Sequence, residues 1–283
     1  MKKLFLVIFF IVFLSLIVCF PSISTKAARQ AVDIFLYTLI PALLPFTLIY
    51  NYIRQIANLP GILVWGAAAG YPAGAKMVND LSASLSHPLL ALTTCNLASP
   101  NFILVYVGYG LCKSVYYGVI ILLSCLLGTG LTNLFFYILC AKNVAPTHSA
   151  PIEEQSKSSF SFSSVILESI KSLLVFGGYL LLCSIAAEAI RTLLPISIYW
   201  KGICICFLEF TVGLEFLFHS SLSITMLLPI AVFFLSFGSV SIFLQTAACL
   251  KNKKLMYRYI PIKFLCALNS VFFYHLITFI CKR

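Results

Sequence analysis

Charged side chains are scarce in this 283-residue chain, and acidic ones scarcest: eight Asp and Glu stand against nineteen Lys and Arg, together 10% of the residues. That excludes an ordinary soluble domain, in which roughly 25% of residues are charged. Histidine is as rare. His87, His148, His219 and His275 are dispersed, so a metal site has no support. There is no Walker A loop, since Gly70 to Lys76 lacks both the spacing and the Ser/Thr after the lysine, which argues against ATP-driven pumping by this chain alone. No Ser/His/Asp set, paired metal ligands or His-rich span stands out, so an enzyme is not expected. The eleven cysteines form no framework either. Cys204-Ile205-Cys206 has the wrong spacing for a zinc knuckle or a thioredoxin-like motif, and the others stand singly as small hydrophobes.

What the chain has is apolar length: 61% hydrophobic residues and a mean hydropathy of +1.03. A spanning helix needs about 20 mostly apolar residues. Runs of that size recur, so the expected fold class is all-α, a polytopic helical membrane protein with eight or nine membrane segments. The +11 net charge is scattered between these runs, as cytoplasmic loops and anionic headgroups require, and is no nucleic-acid footprint. Residues 1–30 read as an N-terminal membrane helix and short loop, 31–140 as a first membrane half, 141–164 as a polar linker and 165–283 as a second half. Within them the expected segments are 4–20, 31–53 (with Pro41 and Pro45, hence kinked), 59–81 and 89–112 (both interrupted, each either crossing or re-entering), 115–140, 165–190, 194–218, 222–250 and 259–280. Gly128 and Gly130 offer close helix approach. Lys251, Lys253, Lys254 and Arg258 are the densest basic cluster and belong in the cytoplasm.

One stretch organises the rest: Gly70-Tyr71-Pro72-Ala73-Gly74-Ala75-Lys76, followed by Asp80. Gly-x-Pro-x-Gly breaks the helical hydrogen-bond ladder, which a bilayer tolerates only where the backbone is buried in protein or lines a wet cavity. Lys76 and Asp80 then place charge at membrane depth, either as a structural pair one turn apart or as a functional site. A second break is expected at Asn96, Ser99, Pro100 and Asn101. The second half carries Glu209 in Leu208-Glu209-Phe210-Thr211-Val212-Gly213, and a small-residue interruption at Gly238 ahead of Gln245. Each half opens with an acid near the start of a span (Asp33, Glu168) and contains an interrupted segment ending in a polar side chain. Paired interruptions of this kind point to a midplane solute site and an inverted repeat.

These four stretches, in this order, resemble the YlbJ (SpoVV) sporulation integral membrane protein family, which carries the Gate, or nucleoside-recognition, domain. The resemblance covers the chain from about Asp33 onward. It departs at Ala69, where the family has serine, at Ala98-Ser99, where Ser-Gly is expected, and at Phe243, where histidine is expected; the chain is also shorter than the usual member. The resemblance implies an inverted-repeat transporter-like fold, a bacterial multi-pass location in the cell membrane or outer forespore membrane, and movement of dipicolinic acid in spore formation. Such a dianion needs positive charge and backbone donors. Lys76 and the helix start after Gly74 would supply them, with Gly70, Tyr71, Pro72, Asn96, Ser99, Pro100, Asn101 and Gln245 around the solute. Asp80 and Glu209 would form a charge pair or couple transport to a proton or sodium ion; no other cofactor is expected. A nucleoside-like solute is the alternative substrate, and a non-transporting sporulation scaffold the alternative function. The expected partners are the bilayer and a small anion, with a homo-oligomer or sporulation membrane proteins as candidates and no nucleic acid.

Overall fold

The computed structural model describes residues 11, 13–56, 62–81, 85–141 and 161–281; residues 4–10 and 12 of the 4–20 segment and most of the polar linker lie outside them. Among the described residues the chain is all-helical. Four helices are long and apolar enough to cross a membrane, at Val115–Leu139, Phe162–Leu193, Ile224–Cys249 and Leu255–Cys281. Their outward faces carry bare Leu123, Leu126, Leu134, Phe135, Leu268 and Phe272. A surface so continuously apolar is one that faces lipid, and the chain is that of a multi-pass membrane protein.

Helix α1 (Pro21–Ile34) passes through a π-helical turn (Phe35–Leu39) into α2 (Ile40–Ile56). Pro41 and Pro45 lack an N–H and crowd the preceding turn, and the axis bends by 55° across this region. The kink expected from the two prolines is present.

Two short pairs of helices fold back on themselves. Helices α3 (Ile62–Ala69) and α4 (Ala73–Asp80) pack together, Gly66 facing the Met77 sulfur. Had the helix run straight, those residues would lie about 16 Å apart. Further along, α8 (Ile198–Leu208) and α9 (Phe210–Phe218) form a second hairpin in which Gly202 takes the Leu217 side chain and Gly213 takes the Cys206 backbone. The 59–81 segment thus folds as a hairpin, and so does 194–218, which differs from the single span that its apolar pattern predicts.

Each hairpin is followed by an interrupted helix. The first is α5 (Pro88–Cys95), which resumes as a π-helical stretch (Phe102–Leu111), both parts packing along α6 (Val115–Ala141). The long α7 (Phe162–Leu193) then leads to the second hairpin. Beyond it come α10 (Ile224–Phe237), α11 (Val240–Cys249) and the closing α12 (Leu255–Cys281). Helices α6 and α12 pack most extensively, with Gly128 against the Ser270 backbone and Asn269 donating to Thr132 at 2.8 Å. Gly130 does not share that role, since nothing lies within 4 Å of where its side chain would be. Small residues and interhelical hydrogen bonds are what hold helices together where lipid offers no hydrophobic drive.

Candidate functional site

The interior is organised by four interruptions. The first is the tip of the α3–α4 hairpin. Gly70 has φ +72°, a left-handed backbone that glycine adopts without penalty. The Tyr71 N–H then donates to the Leu97 carbonyl at 2.8 Å, a group set free by the second interruption. The two breaks touch closely: a side chain on Gly74 would lie 2.0 Å from the Cys95 carbonyl oxygen, and one on Gly70 2.6 Å from the Ser99 nitrogen. Glycine at both positions is a condition of that contact.

At the second interruption α5 stops at Cys95, and Ser99 Oγ accepts from the Phe102 N–H at 3.2 Å to start the next helix. Asn96 is fully buried. Its amide nitrogen donates to Thr246 Oγ1 and to the Tyr259 hydroxyl, both at 2.8 Å, while its Oδ1 has no partner. Its backbone carbonyl, at the electronegative end of α5, accepts from Lys263 Nζ at 3.3 Å. A cation there meets the helix dipole favourably.

The third interruption is Glu209 itself. Its backbone is extended (φ −147°, ψ 106°), and its Oε1 caps α9 by accepting from the Thr211 N–H at 3.0 Å. The residue is 2% exposed and Oε2 has no partner. At the fourth, Gly238 has φ +97°, and Ser239 caps α11 by accepting from the Ile242 N–H at 3.4 Å. The Tyr71 hydroxyl joins first to fourth, donating to the Leu235 and Ser236 carbonyls at 3.3 Å each. Those carbonyls belong to the last turn of α10, where the ladder has run out of partners.

Between these breaks lies a cavity lined by Tyr71, Ser99, Phe102, Glu209, Phe210 and Gln245, closed on the outer side by α1–α2 and α7. It leaves about 50 Å³ for the centres of water-sized molecules, several times the roughly 10–15 Å³ that one buried water needs. Its polar groups are the Glu209 carboxylate, the Gln245 amide, whose Nε2 donates to Ser241 Oγ at 3.0 Å, and the Ser99 and Thr211 hydroxyls.

The residues anticipated from sequence divide in two. Tyr71, Ser99, Glu209 and Gln245 line this cavity. Gly70, Pro72 and Gly74 shape the hairpin tip beside it, and Pro100 and Asn101 start the helix beyond the second break, Asn101 being exposed. Asn96 is committed to Thr246, Tyr259 and Lys263. Lys76 is elsewhere. Its Nζ meets Glu168 Oε1 at 2.8 Å, Ser172 Oγ at 3.3 Å and Asn51 Oδ1 at 3.4 Å, tying α4 to α7 and α2. The expected pairing is therefore corrected: the carboxylate that Lys76 meets is Glu168 of the other half, and not Asp80, which is exposed.

Sequence reasoning passed over Lys263 as a site residue in its own right. Its side chain is 0% exposed, and its ammonium sits 5.3 Å over the Tyr71 ring. No carboxylate among the described residues pairs with it. The signal was there, a lysine inside the last apolar run just after Pro261, which at membrane depth marks a functional candidate. Among the described residues no group of His, Cys, Asp and Glu could hold a metal ion. No protein-family model, curated protein or solved structure matches the chain.

Proposed function

We propose that the chain is a secondary transporter or permease whose solute occupies the cavity between the four helix breaks. The observation that carries this reading is their convergence: among the described residues, two hairpin tips and two unwound spans border a mostly apolar cavity into which a few polar side chains, Glu209 and Gln245 among them, are gathered. Irregular backbone at membrane depth is tolerated only where it is buried in protein or lines such a space, and paired breaks of this kind accompany midplane solute sites.

The element order supports an inverted repeat. The first half offers the bent α1–α2 span, the α3–α4 hairpin, the interrupted α5 span and α6; the second offers α7, the α8–α9 hairpin, the interrupted α10–α11 span and α12. If the hairpins re-enter, each half crosses three times, so the two run in opposite senses. Six crossings and two hairpins make eight membrane segments, and an N-terminal helix would make nine. The equivalent elements α6 and α12 pack together, as do α1–α2 and α7.

The solute is the second step. Dipicolinate, implied by the resemblance to the YlbJ family, would need a positive partner, and the cavity lining among the described residues holds no Lys, Arg or His. A nucleoside-like solute, offering N–H and O–H donors and a ring, has acceptors in Glu209 and Gln245 and ring faces in Phe102 and Phe210. Radiolabelled cytidine and dipicolinate, presented separately to proteoliposomes, test this. Cytidine uptake above protein-free vesicles, exceeding that of dipicolinate, is expected; faster dipicolinate uptake would reverse the solute assignment, and entry of neither would overturn the transport reading.

A further inference from the structure

We infer that the cavity selects a solute bearing a positively charged nitrogen, a compact organic ammonium on an apolar body. This rests on the transport reading and goes beyond its solute: a neutral nucleoside would bind through hydrogen bonds alone, and an organic ammonium would be preferred to it.

The argument begins with an unmatched carboxylate. Glu209, 2% exposed at the wall of a cavity, has one oxygen engaged by the Thr211 N–H and the other in no direct hydrogen bond, with the Ser241 and Thr211 hydroxyls beside the carboxyl group. A carboxyl group inside an apolar bundle stays ionised only beside a counter-charge. Among the described residues no cationic side chain lines the cavity. Lys76 is spent on Glu168, and Lys263 lies against the Tyr71 ring and the Asn96 carbonyl, outside the lining. A solute that carries a positive nitrogen would supply that counter-charge beside Glu209.

The rest of the wall suits a cation too. Phe35, Phe102, Phe176, Phe210 and Tyr71 all contribute to it, Phe102 and Phe210 meeting edge to face with centroids 5.8 Å apart. Aromatic faces attract ammonium groups, most strongly where water is excluded, and they pack against an apolar body at the same time. An anion gains nothing from these rings and is repelled by Glu209. A neutral donor gains only an ordinary hydrogen bond.

Benzylammonium, benzoate and benzyl alcohol are matched probes for the cationic, anionic and neutral cases, titrated by calorimetry into the detergent-solubilised full-length protein at pH 7.5. Benzylammonium is expected to bind at least about tenfold more tightly than either of the others, the equivalent of one favourable charge-assisted contact. Glu209→Gln keeps an acceptor for the Thr211 N–H and replaces the vacant oxygen with a donor, so it should abolish the preference. Phe210→Leu leaves the carboxylate in place and should weaken benzylammonium severalfold, which keeps the inference testable if the glutamine variant does not fold. Equal binding of benzoate, a preference that survives Glu209→Gln, or binding of none of the three would each overturn the inference. Cytidine uptake by proteoliposomes would stand untouched by any of these outcomes, so the two readings fail separately.

Discussion

Gly74→Ala is the sharpest test of how the first two breaks are joined. The added methyl would sit 2.0 Å from the Cys95 carbonyl oxygen and 2.5 Å from its carbon. Ordinary contact between such atoms is about 3.5 Å, so α4 and the end of α5 must part by more than about 1 Å. Nothing nearby can rotate away, because the obstacle is backbone. Parting them would also stretch the Tyr71 N–H to Leu97 bond, now 2.8 Å. Overpacking of this kind costs about 1–3 kcal/mol and occasionally more. Gly178→Ala in α7 is the matched control: it is exposed, and nothing lies within 4 Å of the new methyl. Ala is favoured over Gly inside a helix by about 1 kcal/mol, so the control should be neutral or stabilising. Reversible unfolding in mixed micelles titrated with dodecyl sulfate measures both. The two variants should differ by about 2–4 kcal/mol, from the two effects together. Equal stability would show that the hairpin tip does not lie against α5 as described.

Four other substitutions probe the polar interior in the same assay. Lys76→Ala and Glu168→Ala, alone and together, should give a coupling of about 1 kcal/mol or less, as the pair is partly exposed, and both should leave solute uptake intact; loss of uptake would put Lys76 back at the solute site. Tyr71→Phe strips a donor from the Leu235 and Ser236 carbonyls and should cost about 1 kcal/mol, and an unchanged midpoint would deny the link between the first and fourth breaks. Lys263→Met removes a buried cation that has no carboxylate partner among the described residues and should raise stability by about 1–3 kcal/mol; a fall would mean that its bond to the Asn96 carbonyl outweighs the cost of burying it.

Much of this architecture was readable in one dimension. Gly70-Tyr71-Pro72-Ala73-Gly74 interrupts the helix between Ala69 and Ala73, as its missing donors and glycine backbone require, and Asn96 to Pro100 does the same after Cys95. The prolines in α2 and the Gly238 interruption were equally legible. The failures share a cause. Local pattern says where a helix ends but not which way the chain turns afterwards, so the α8–α9 hairpin passed for a plain span until Gly202 and Gly213 were seen against Leu217 and Cys206. Long-range partners are invisible in the same way: Lys76 lies one turn from Asp80 in sequence, yet its carboxylate comes from Glu168, 92 residues on. Asn96 looked like a solute ligand because an intramembrane amide must bond something, and Thr246 and Tyr259 turned out to be that something.

The central claim is that Glu209 faces the path of a transported solute. It is tested most directly by the initial rate of radiolabelled cytidine uptake into proteoliposomes of wild type and Glu209→Gln, at matched protein content and matched helical circular dichroism. The account predicts a rate lower by about tenfold or more in the variant, the loss of one charge-assisted hydrogen bond. Equal rates from two equally folded proteins would contradict it.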